Sequence, residues 1–120
     1  MGAVVFVHRV PVSLCSSPGL AFHHAIEEAG AEVGFDGYSG TIVEKHDYVL
    51  FDVDSSMSID DFVHALTRSR PGKVVDEVYE MAGEAFGHGD RIVEIFDDKW
   101  GPAVCFELDG CWVFTGWASC

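Results

Sequence analysis

Apolar and polar positions fall along this chain in short blocks, each with its own period. Residues 3–10 (AVVFVHRV) are β-branched and apolar almost throughout, which predicts a central strand covered on both faces and ended by Pro11. The loop that follows leads to Ser17 as a helix cap, with Pro18 at the first helical position. That helix is expected from Pro18 to about Ala29, with Leu20, Ala21, Ala25, Ile26 and Ala29 inward and Glu27 and Glu28 outward. Residues 30–40 are glycine-rich and read as a loop with room for a short strand. Residues 41–45 and 48–53, separated by His46 and Asp47, predict a β-hairpin. Ser58 followed by Asp61 resembles a capping box opening a short helix over 59–67, closed by Arg68, Ser69 and Arg70.

The stretch 71–87 (PGKVVDEVYEMAGEAFG) carries the most complete helix pattern. Val74, Val78, Met81, Ala82 and Ala85 recur at helical spacing, while Asp76, Glu77, Glu80 and Glu84 fall on the opposite side. Asp76, Glu80 and Glu84 are four apart and stack on one side, where like charges repel. This face is either a solvated helix surface or an acidic recognition surface. Residues 91–97 (RIVEIFD) alternate like a strand, and KWGP at 99–102 makes a turn. Asp109-Gly110 between two apolar runs predicts a two-residue type I′ hairpin over 103–108 and 111–117. Its register sets Leu108 opposite Cys111, Glu107 opposite Trp112, Phe106 opposite Val113 and Cys105 opposite Phe114. One hairpin face then holds Val104, Phe106, Leu108, Cys111 and Val113, and the other holds Trp112 and Phe114 beside Cys105 and Glu107.

Together these elements predict an α+β domain: an antiparallel sheet of five or six strands with two or three helices packed on it. At 120 residues the chain is expected to be one globular domain over 1–120. The expected core is Val5, Val7, Ile26, Val49, Phe51, Phe62, Val74, Val78, Ala82, Ile92, Phe106 and Val113. Two aromatics on one hairpin face are too apolar to leave in water. Either the first helix covers Trp112 and Phe114, or they form a partner or homodimer interface.

Charge narrows the partners. Twenty acids against seven Lys plus Arg give a formal charge of −13. Direct contact with nucleic acid or an anionic membrane would add repulsion, so neither is expected, whereas a basic protein partner is favoured. The N-terminus does not read as a signal segment, and no apolar run approaches spanning length, so a cytoplasmic setting is expected. Cys15, Cys105, Cys111 and Cys120 make no metal-finger spacing and no C-x-x-C, and Cys105 and Cys111 fall on opposite hairpin faces.

Candidate chemistry is sparse. Asp52 and Asp54 project to one side of a strand end and, with His46, make a weak divalent-metal candidate; the plainer reading is two solvated carboxylates. His23 and His24 are adjacent, so on a helix they point about 100° apart and share a metal poorly. Cys15 has no local motif pairing it with a histidine as a nucleophile, and the glycine turns at 37–40 and 87–89 form no phosphate loop. No cofactor is expected.

Two stretches, 37–45 (GYSGTIVEK) and 98–103 (DKWGPA) with 116–119 (GWAS), resemble segments of small uncharacterised proteins encoded by phages and prophages. In size and charge the chain is similar to phage anti-defence proteins, anti-CRISPR proteins among them. The resemblance implies no catalytic residues. The charge of −13 and the acids Asp76, Glu77, Glu80 and Glu84 lead instead to the expectation of a non-enzymatic inhibitor of a basic, nucleic-acid-handling host protein such as a CRISPR effector or another nuclease. Asp76, Glu77, Glu80 and Glu84, with Trp112 and Phe114, would be the binding residues. A toxin-neutralising immunity protein and a small metal-dependent hydrolase or binding protein using Asp52, Asp54 and His46 are the alternatives.

Overall fold

The structure is a computed structural model, and it describes residues 3–33, 42–51, 61, 64–65, 68, 94–95, 101–108 and 110–119. Within these, strand β1 (Ala3–Pro11) is followed by helix α1 (Pro18–Val33), a 3-10 turn (Ile42–Glu44), and strands β2 (Tyr48–Leu50), β3 (Ala103–Leu108) and β4 (Cys111–Ser119). The strands form one sheet in the order β1-β4-β3-β2. β1 and β3 both run antiparallel to β4, but β2 runs parallel to β3.

Among the described residues the sheet is therefore mixed and four-stranded, with α1 as the one helix described along its length, and this overturns the expected antiparallel sheet of five or six strands with two or three helices. The error begins at 41–53. Over the described residues 42–51 no hairpin forms, because Ile42–Glu44 turns as a 3-10 helix and Asp47 Oδ1 accepts the Tyr48 N–H at 2.8 Å. β2 then pairs with a strand more than fifty residues later, setting Tyr48 beside Ala103, Val49 beside Val104 and Leu50 beside Cys105. A parallel partner needs a long crossover, and no local turn signal announces it. Glu94 and Ile95, inside the stretch read as a strand, are helical. Short apolar runs do not distinguish the two states by period alone.

β1 also departs from expectation. Among the described residues it lies at the end of the sheet, with Val5 and Val7 half-buried and Arg9 exposed. The C-terminal hairpin is the counter-example. Its observed register is Leu108↔Cys111, Glu107↔Trp112, Phe106↔Val113 and Cys105↔Phe114, and Gly110 sits at φ +76°, where a side chain would be strained. Both faces of β3 and β4 are buried, since Val104, Cys105, Phe106, Val113, Phe114, Thr115 and Trp117 all lie below 4% exposure.

α1 starts as expected. Ser17 Oγ accepts the Leu20 N–H at 3.3 Å, and Ser17 O accepts the Ala21 N–H at 3.0 Å. The helix then passes Gly30 and ends at Val33, four residues beyond Ala29. Ala21, Ala25 and Ala29 form its buried stripe, whereas Leu20 is 61% exposed. The small stripe lets the helix backbone lie close over Phe6, Val10, Cys105, Trp112, Phe114 and Ala118. Of the expected core, Phe51, Phe106 and Val113 are buried and Val5, Val7, Ile26 and Val49 are half-buried. Phe62, Val74, Val78, Ala82 and Ile92 lie outside the described residues.

Candidate functional site

The exposed side of α1 is where the described structure gathers ionisable groups. Residues 23–28 read HHAIEE, so each histidine stands four positions before a glutamate, which on a helix brings the two together. His23 Nε2 lies 3.7 Å from Glu27 Oε1, and His24 Nε2 lies 3.6 Å from Glu28 Oε2. The remaining oxygen of Glu28 is used from outside the helix: His8 on β1 donates its ring Nε2–H to Glu28 Oε1 at 2.8 Å. His8 reaches it because its register position opposite Phe114 puts its side chain on the face that α1 covers. Glu28 thus sits between two histidines from two elements, with its side chain 54% exposed. At that exposure such contacts contribute roughly 0.2–1 kcal/mol each, so they orient the carboxylate more than they hold the fold.

Glu27, Glu28 and Glu32 are all exposed, and α1 contains no Lys or Arg. Its outer face is an acidic surface with one carboxylate fixed in place, able to receive cationic groups. Sequence spacing carries the His23–Glu27 and His24–Glu28 pairs. The His8–Glu28 contact has no local signal, since it depends on how a strand and a helix pack.

The underside of α1 decides the position of the hairpin aromatics. Trp112 Nε1 donates to Cys15 O at 2.8 Å, and the Phe114 ring lies 5.5 Å from Phe22 and 5.8 Å from Tyr48, centroid to centroid. Trp112 is 9% and Phe114 0% exposed. The aromatics are therefore core beneath the first helix in the isolated chain, and a partner surface built on them is corrected to a covered one. Cys105 lies on the same face, and burial pushes its thiol up to about 12, so it stays protonated and unreactive at neutral pH. Tyr48 is raised as well, first by burial and then by Cys105 and Asp47 beside it.

The other expected site residues are placed as follows. His46 is exposed beside Asp47, whose carboxylate is engaged by the Tyr48 N–H. Asp52, Asp54, Asp76, Glu77, Glu80 and Glu84 lie outside the described residues. Among the described residues, no three His, Cys, Asp or Glu side chains are placed to hold a metal ion. Cys15, Cys105 and Cys111 are free thiols. Lys45, which the sequence did not mark, is buried, and its Nζ donates to Gly101 O at 3.1 Å while its stem lies against Gly116. Among the described residues, no helix is long and apolar enough to cross a membrane.

No protein-family model, no curated protein and no solved structure matches this chain.

Proposed function

We propose that this protein acts by binding, as a non-enzymatic acidic inhibitor of a basic, nucleic-acid-handling host protein of the kind that phage anti-defence proteins disable. The observation that carries the reading is the charge of −13 on 120 residues. Carboxylates presented along a rigid helix can take the places of phosphates in a basic groove, and the overall field speeds encounter with such a partner. The exposed Glu27, Glu28 and Glu32 on α1 support it, as one acidic helical face in addition to the acids at 76–84. The partner class is a CRISPR effector or another nuclease, and the site of action is the host cytoplasm.

The test is association with such an effector, measured by calorimetry across a salt series. Affinity is expected to fall steeply as salt rises, because most of the attraction is between exposed charges. Two charge-reversal sets separate the surfaces: Asp76, Glu80 and Glu84 to Lys, and Glu27, Glu28 and Glu32 to Lys. Binding that survives both sets, or that does not respond to salt, would sink the proposal.

A further inference from the structure

We draw no further inference here: the strongest candidate, the side-chain cluster of His8, His24 and Glu28 where β1 meets the outer face of α1, belongs to the acidic face already described, and among the described residues only the contacts within the cluster itself mark it.

Discussion

β4 has two neighbours, and they are secured in different ways. β3 is joined to it by a two-residue turn and pairs over five positions, while β1 pairs over nine positions with residues a hundred or more places away. By ladder length β1 should be the firmer strand. By burial it is the looser one: Val104, Cys105 and Phe106 on β3 are at most 1% exposed, whereas Val5 and Val7 on β1 are half-buried and Arg9 is exposed. Backbone hydrogen bonds contribute about 1 kcal/mol or less each after water is accounted for, while burying a large side chain contributes several times that. Packing on two faces, more than the number of rungs, sets how costly each strand is to disturb.

The largest test of that contrast is Phe114→Ala on β4, against Val7→Ala on β1. Phe114 is fully buried between Phe22 and Tyr48, so its truncation is expected to cost about 3–5 kcal/mol in chemical denaturation. Val7 is half-buried and should cost roughly 1 kcal/mol or less. Equal losses at the two positions would break the comparison.

The alkaline limb of the stability curve tests the same buried face without changing packing volume. In the unfolded chain Cys105 ionises near 9.0, and in the folded protein near 12. Below pH 9 both forms are protonated and the thiol has no effect on stability. Between pH 9 and 12 the unfolded chain gains by ionising and the folded one does not, so stability falls as pH rises through that window. Tyr48, raised in the same direction, adds to the fall. Melting curves from pH 8 to 11 should show it, and Cys105→Ala should flatten it in part. A slope identical in the variant would show that the thiol is not the sensor.

The hairpin turn itself comes next in size. Gly110 sits at φ +76° with open space where a Cβ would go, so Gly110→Ala meets no clash and pays only for its backbone conformation, about 1–2 kcal/mol. A neutral result would show that the turn is not what fixes the β3–β4 register.

These contrasts also explain what was legible in the sequence. The β3–β4 register follows from Asp109-Gly110 and the alternation on either side, because every determinant lies within about a dozen residues. The start of α1 follows from Ser17 and Pro18 for the same reason. β1 as a strand was legible, but its place at the end of the order of described strands was not, since an apolar run suits a strand buried on both faces and a half-buried one alike. The parallel pairing of β2 with β3 depends on a crossover of some fifty residues and leaves no mark near Tyr48–Leu50. At the candidate site, HHAIEE gave the helix-face pairs, whereas the reach of His8 to Glu28 depends on how α1 sits on the sheet. The buried Lys45 was hidden for a similar reason: its acceptor, Gly101 O, is fifty-six residues away.

The smallest expected effect concerns that reach, and it decides whether the looser strand is tied down by polar contact. Glu28 is the group through which His8 on β1 and His24 on α1 meet. Glu28→Gln keeps the size and removes the charge, and with the carboxylate half in water the loss should be about 0.2–1 kcal/mol. A double-mutant cycle with His8→Ala isolates the strand–helix part, which should be about 0.5 kcal/mol and should shrink further in roughly 1 M salt. If the coupling instead exceeded about 2 kcal/mol and resisted salt, β1 would owe its place to this clasp as much as to β4. The contrast between the two neighbours of β4 would then be one between a strand held by apolar packing and a strand held by a carboxylate.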